Sequence, residues 1–445
     1  MAKIIQQIGK PIKSAWSFFA IGKRWQEWKY SFLARYKSSP ADFWHGCLFA
    51  SFWISLAIFP IGYGAREAMP LLCLLFLIPY YCHNWKDCVL RRLGPVWLFY
   101  CVAIMVALGI AFSINPWASF LHAGANFSKA FILPFIAMEC VKSLQDLKRL
   151  VWACVFACFW QGIDGVWQAA TGEDFVMGYK PHSGRLTGSL GDYSVGNYLA
   201  LALVPAFSVW YILRDRMDAW TTSFLMLALF WPALFLFQGA SSRSALLAVA
   251  GAFALWAFMR HGLKNLRILF WPILVIAAFM SFQGIRLMPS GIVNDNRWDL
   301  WSLAWKIFWE HPWFGAGAGQ YNPAFRSLGL APEREVITIS HPHDLYLDIL
   351  YAHGIIGFCL GMVFIFGFLY WGWKNIQPHI RQAGTNPNKN LYWTLCAWFW
   401  LGYAAWLING IFGHDFYRIW WLALAMCNMG IMIGAVVNGK NLSWQ

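Results

Sequence analysis

Apolar segments recur along the whole chain, separated by shorter polar stretches. A helix needs about 20 apolar residues to cross the hydrocarbon core of a bilayer. The segments fall at roughly 43–62, 68–83, 94–112, 118–140, 150–170, 194–213, 220–239, 244–259, 267–284, 345–372, 391–411 and 417–437. This pattern predicts an all-α polytopic membrane protein with about twelve transmembrane helices.

Composition supports a membrane protein and excludes other classes. Of 445 residues, 59% are hydrophobic and 12% charged, about half the charged fraction of a soluble domain. The chain contains 30 Trp, a residue that favours the membrane–water interface. Its net charge of +14 would suit a nucleic-acid binder, but such a protein needs a soluble basic domain, and the sequence has none. We therefore expect membrane lipids, and no nucleic acid, among its partners.

The distribution of cations predicts the topology. Most of the 34 Lys and Arg lie in the terminal segments and in alternate loops, which places those loops and both termini in the cytoplasm. The predicted organisation is a basic cytoplasmic N-terminal segment (1–42), transmembrane helices 1–9 (43–284), a large periplasmic loop with amphipathic helices (285–344), transmembrane helices 10–12 (345–437) and a cytoplasmic tail (438–445). We expect a surface helix or a disordered segment at the N-terminus.

Three arginines stand out because the predicted outer loops hold few cations. Arg185 precedes the sixth span, Arg243 opens the eighth, and Arg297 opens an amphipathic helix in the long loop. Guanidinium groups near an apolar span must be paired or must bind an anion. A pyrophosphate suits three of them, because the guanidinium fork matches phosphate oxygens. The alternative is that each pairs with an outer carboxylate or reaches to lipid headgroups.

The same face carries titratable side chains close to the spans. His341, His343 and Asp344 close the long loop, and His414, Asp415 and Arg418 fill the last outer turn. A histidine here can serve as a general base, because its usual pKa is about 6.5. Alternatively, His341 or His343 only caps the helix that follows, or the histidines and aspartates bind a metal. We expect no metal, because the outer loops contain no Asp-x-Asp pair and no cysteine.

Two charged residues fall inside predicted spans. Lys129 and Asp164 are candidates for function on that ground alone. They can equally pair with each other or with the backbone, and the sequence leaves both interpretations open.

The segment from about 180 to 360 resembles bacterial O-antigen ligases and their relatives, the O-antigen polymerases and protein O-oligosaccharyltransferases. His343-Asp344, nine residues and then Gly354-Ile-Ile-Gly357 resembles a family signature of His, then Asn, Ser or Gln, nine residues and Gly-x-x-Gly. Asp344 departs from that pattern. Three further stretches are similar to family segments: Arg185-Leu-Thr-Gly, Ser241-Ser-Arg243, and Arg297-Trp followed by Pro312-x-x-Gly315-x-Gly317.

The resemblance implies a fold of the lipid-linked-sugar glycosyltransferase (GT-C-like) class in a Gram-negative inner membrane. It implies a donor, O-antigen on undecaprenyl pyrophosphate, and an acceptor, lipid A–core. It implies a metal-independent, cofactor-free inverting transfer at the periplasmic leaflet. His343 would be the base and Arg185, Arg243 and Arg297 would bind the pyrophosphate. His341, Asp344, Asp415 and Arg418 are secondary candidates, and Asp415 is expected to orient His343 or to bind the acceptor.

Among the relatives, we expect a ligase. Only a short tail follows the last span, whereas protein-targeting relatives often carry a soluble domain there. The late position of the long loop argues against a polymerase. A flippase or other transporter is the alternative from a different class, but transporters place polar residues near the bilayer midplane and show repeated halves.

Overall fold

The computed structural model describes residues 38–61, 63–191, 194–262, 297–329, 341–382 and 384–443. The helices of this part of the chain are α1 (Pro40–Ile58), α2 (Tyr63–Asn84), α3 (Val89–Arg92), α4 (Trp97–Ala111), α5 (Pro116–Phe131), α6 (Leu133–Glu139), α7 (Leu144–Thr171), α8 (Val195–Phe207), α9 (Val209–Arg214), α10 (Ala219–Gly239), α11 (Arg243–His261), α12 (Arg297–Glu310), α13 (Tyr321–Ser327), α14 (Leu345–Arg381), α15 (Pro387–Gly410) and α16 (Ile419–Gly439). Within these ranges there is no β-strand, only an isolated bridge between His182 and Arg185.

The helical, multi-span architecture is confirmed. Within the described ranges, nine helical segments are long and apolar enough to cross a membrane, α5 with α6 and α8 with α9 each counting as one. Two shorter apolar helices, Ala68–Asn84 and Trp97–Ala111, match two further predicted spans. The predicted span at 267–284 lies outside the described residues, as do residues 1–37 and parts of the long loop. The count of twelve therefore stays a prediction.

Several helices begin at a side chain that caps their free N–H groups. Ser39, Asn115, Ser143 and Asn386 each accept a hydrogen bond from the backbone N–H three residues ahead. A proline follows three of these caps, and proline suits the first helical position because its missing N–H would have no partner there. These sequences therefore fix where the spans start, which matters where water is scarce.

The centre of the bundle is formed by α8, α15 and α16. In the apolar stretches of these three spans, between 83% and 94% of the residues are buried. The corresponding share is 33% in α10 and in the α5–α6 segment. A helix that is apolar on every side is expected inside the bundle, whereas the half-exposed ones face lipid. α15 packs against α8, α11, α14 and α16 and so links most of the bundle.

The long helix α14 is interrupted at Gly354, which has φ 61° and ψ −171°. The interruption frees backbone groups, and the turn after α12 pairs with them. The N–H groups of Ala316 and Gly317 donate to the carbonyls of Tyr351 and Ala352, at 2.8 and 3.0 Å. The N–H of Ile355 donates to the carbonyl of Pro312 at 2.8 Å. The segment that follows α12 is thus fixed to the helical bundle by main-chain hydrogen bonds.

Candidate active site

A polar cavity of about 90 Å³ lies at the N-terminal ends of α8, α11 and α12, beside the residues that precede α14. Its lining residues are Arg185, Ser194, Asn197, Ser241, Ser242, Arg243, Ser244, Arg297, His343 and Gly413. The structure thus brings together all four residues predicted as primary site residues. They come from four chain segments that are far apart in sequence.

Arg185 lies on a loop that is tightly bonded to the bundle. Its backbone N–H and carbonyl both pair with His182, at 3.0 and 2.9 Å. The N–H of the next residue, Leu186, donates to the carbonyl of Gly239 at 3.2 Å, just before the segment that carries Arg243. This main-chain pairing keeps the two arginine-bearing segments adjacent.

Side chains inside α7 hold the rest of that loop. Asp164 accepts hydrogen bonds from the N–H groups of Phe175 and Ser189, at 2.9 and 2.6 Å. Gln168 accepts from the N–H of Thr187 at 2.8 Å. Asp164 therefore bonds to the backbone, as one of its two sequence interpretations proposed, and its described bonds are structural.

Arg243 is the first residue of α11, and the residues around it converge on Asn197 of α8. Ser242 caps α11 and donates to Oδ1 of Asn197 at 2.6 Å, and Ser244 donates to the same atom at 3.1 Å. Nδ2 of Asn409 in α15 lies 3.3 Å from that oxygen. Asn197 therefore links α8, α11 and α15 at the wall of the cavity. Nothing in the sequence marks Asn197 as a site residue, because one amide inside an apolar span gives no signal of its own.

Arg297 begins α12, and the same helix supports the histidine loop. Nε1 of Trp301 donates to the carbonyl of Pro342 at 3.1 Å. Leu300, Leu303 and Ile307 bury the opposite side of the helix. Because α12 carries Arg297 and also contacts Pro342, it sets the position of an arginine relative to His343.

His343 has a backbone conformation that is uncommon for a non-glycine residue, with φ 56°. Its N–H donates to Nδ1 of His341 at 3.2 Å, and the two ring centroids are 4.1 Å apart. Nη2 of Arg418 lies 2.6 Å from Nε2 of His341, and Nε of Arg418 donates to Asp415 at 3.0 Å. Three secondary candidates thus form a chain that supports His343 from outside the cavity.

The electrostatics keep the His343 ring neutral. Burial has the largest effect on the pKa of His343, and repulsion by the neighbouring His341 and Arg297 adds to it. Together they lower this pKa to about 3. Burial would raise the pKa of Asp415, but His341 and Arg418 lower it below its usual value. Asp415 is therefore a carboxylate that balances the charge of Arg418, while His343 has a free base form.

Two other predicted residues have structural contacts. Asp344 caps α14, accepting from the N–H groups of Tyr346 and Leu347, both at 2.8 Å, and burial raises its pKa to about 6. His414 stacks on Trp421 at a centroid distance of 5.2 Å, and burial lowers its pKa to about 4. Neither lines the cavity. Within the described ranges, no group of three or more His, Cys, Asp or Glu is arranged to hold a metal.

Residues 227–362 match the family model described as O-antigen ligase. The matched segment contains Arg243, Arg297 and His343, and it includes both Gly354 and the turn that pairs with it. This match supports an assignment to the O-antigen ligase family. The family is one of glycosyltransferase-like enzymes, and its general substrates are lipid-linked polysaccharide and lipid A–core. No curated protein matches the chain.

The family match covers only part of the cavity. Arg185, Asn197 and Gly413 lie outside residues 227–362, yet they line the same cavity as the matched residues. The O-antigen ligase segment alone therefore does not complete the site. The segment before it contributes one arginine and the Asn197 amide, which accepts hydrogen bonds from Ser242 and Ser244.

Proposed function

We propose that this protein is an O-antigen ligase that transfers polysaccharide from undecaprenyl pyrophosphate to lipid A–core at the periplasmic leaflet. The observation that carries the proposal is the shared cavity of Arg185, Arg243, Arg297 and His343. Three guanidinium groups that line one small polar space create a positive potential there, which attracts an anion. A diphosphate supplies that anion, and each guanidinium can bind its oxygens through two parallel hydrogen bonds.

The chemistry follows from the neighbouring imidazole. In the proposed step, His343 takes the proton from an acceptor hydroxyl while that oxygen attacks the anomeric carbon of the donor sugar. The bond from this carbon to the pyrophosphate oxygen breaks, and undecaprenyl pyrophosphate leaves with the electron pair. The three arginines stabilise the charge that develops on the leaving group. A single displacement of this kind inverts the anomeric centre.

The location of the cavity favours a transferase over a transporter. The cavity lies at the N-terminal ends of α11, α12 and α14, not halfway along these helices. Transporters generally bind their cargo near the bilayer midplane. A site at the helix ends instead suits a reaction between two lipid-anchored substrates in one leaflet.

The proposal is tested by reconstitution with purified lipid-linked O-antigen and lipid A–core. We expect His343→Ala to lower the transfer rate by about 100-fold or more, because it removes the base. His311→Ala is the matched control, since it removes an imidazole near the end of α12 that does not line the cavity. Transfer should be unchanged by a chelator of divalent ions.

Three results would contradict this assignment. A wild-type transfer rate in the His343→Ala variant, at equal protein level, would show that His343 is not the base. Loss of transfer on chelation would require a metal. Elongation of lipid-linked glycan without lipid A–core would indicate a polymerase, the second candidate within the family.

A further inference from the structure

A second, larger cavity lies at the opposite end of the bundle from the candidate active site. It has a volume of about 520 Å³ and is lined by the ends of α9, α11, α14 and α15. Helices α11, α14 and α15 each extend from one cavity to the other, because their opposite ends lie near Arg243, His343 and Gly413. The two cavities therefore open on opposite faces of the membrane-spanning bundle, and the charge pattern predicts that the second one faces the cytoplasm.

Two arginines and two histidines line this second cavity. Arg260 and His261 come from the last turn of α11, and His379 and Arg381 from the last turn of α14. Asp215 is the carboxylate among the lining residues. None of the ion pairs between described residues involves Arg260 or Arg381. The cavity therefore has an excess of positive charge that its own lining does not balance.

Arg381 bridges two of the helices, and aromatic side chains also line the cavity. Nε of Arg381 donates to the carbonyl of Met259 at 3.3 Å, which carries the side chain across from α14 to α11. Tyr211 and Trp256 line the cavity with their ring centroids 6.0 Å apart, and the ring of Trp256 lies 5.4 Å from that of Trp398. Tyr and Trp concentrate at the depth where lipid headgroups meet hydrocarbon. The lining of the cavity thus combines two guanidinium groups with aromatic side chains.

We propose that this cavity binds a phosphate group, supplied by the headgroup of an anionic phospholipid in the cytoplasmic leaflet. Cations in a last helical turn also complement the helix dipole, but that effect does not require two helices to direct their arginines into one space. Basic pockets between transmembrane helices on this side bind anionic headgroups. The guanidinium fork matches phosphate oxygens, and the aromatic side chains of Tyr211 and Trp256 suit the glycerol and first acyl carbons.

Native mass spectrometry of the full-length protein in detergent tests the proposal. The probes are dioleoyl phosphatidylglycerol, dioleoyl phosphatidylcholine and inorganic phosphate. We expect wild type to retain phosphatidylglycerol in preference to phosphatidylcholine. The double variant Arg260→Gln/Arg381→Gln should bind phosphatidylglycerol at least about tenfold more weakly. The matched control is Arg214→Gln/Arg216→Gln, which removes two exposed cations that do not line the cavity.

The variant Arg260→Lys/Arg381→Lys keeps the charge and provides a second test if the glutamine variant does not fold. It should bind with intermediate affinity, because lysine lacks the fork. Competition by inorganic phosphate at equal concentration would overturn the lipid source and identify free phosphate as the ligand. Equal retention of phosphatidylglycerol by wild type, the cavity variants and the control would overturn the site itself.

Discussion

His343 is neutral in the free protein, because burial and nearby positive groups both disfavour its protonated form. A neutral ring can accept a proton, but a pKa of about 3 makes it a weak base. A bound diphosphate would place negative charge among the same arginines. We therefore expect the donor to raise the pKa of His343 and so to strengthen the base when the substrate is present.

This reasoning predicts a difference between two pH profiles. The acidic limb of kcat/KM, which reports the free enzyme, should lie well below pH 6.5 because His343 loses its proton near pH 3. The acidic limb of kcat at saturating donor should lie at higher pH. Both profiles are measured with the reconstituted transfer assay. A single acidic limb at the same pH in both would show that the diphosphate and the imidazole are not neighbours.

At the residue scale, the sequence predicted the charged members of the site better than the neutral ones. Arg185, Arg243 and Arg297 were recognisable because cations are scarce in the predicted outer loops. Asn197 was missed because an amide in an apolar span has no periodicity or charge to mark it. Asp344 departs from the family signature, and the structure explains why: the position caps a helix, and Asp caps as well as Asn or Ser.

At the scale of elements, the Gly-x-x-Gly and Pro-x-x-Gly-x-Gly segments are two halves of one contact. Gly354 interrupts α14, and a side chain there would collide with the backbone of Trp313. Gly315 lies on the opposite side of this contact, where a side chain would collide with the backbone of Ala352. The two glycines permit the close approach that fixes α12, and therefore Arg297, to the helix that follows His343.

We predict that Gly354→Ala destabilises the protein and disables the site. The backbone at this position, with φ 61° and ψ −171°, is costly for any residue but glycine, by about 1–3 kcal/mol. The expected result is a lower Tm and loss of transfer, measured by thermal unfolding and by the reconstituted assay. Gly124→Ala is the control, because its added methyl group would meet only one ring carbon, at 4.0 Å. A Gly354→Ala variant with wild-type Tm and activity would show that the interruption does not need glycine.

At the scale of the whole molecule, the spans were predictable because each depends on a local run of apolar residues. The convergence of four distant segments on one cavity could not be predicted from the sequence of any one segment. It depends on the burial of α8, α15 and α16 in the centre of the bundle and on hydrogen bonds such as those to Asn197. The number of spans, the cytoplasmic position of both termini and the GT-C-like class stay predictions.

The central claim is that three arginines bind a diphosphate beside one imidazole, and its most direct test is the affinity of the purified protein for undecaprenyl pyrophosphate. We expect Arg185→Lys, Arg243→Lys and Arg297→Lys each to weaken binding by about tenfold, because lysine keeps the charge but loses the fork. Arg326→Lys, an exposed arginine outside the cavity, is the control. His343→Ala should bind with an affinity within about threefold of wild type, because the imidazole does not hold the diphosphate. This change is smaller than the tenfold loss, about 1.4 kcal/mol, expected of each lysine variant. Wild-type affinity in all three lysine variants would contradict the claim.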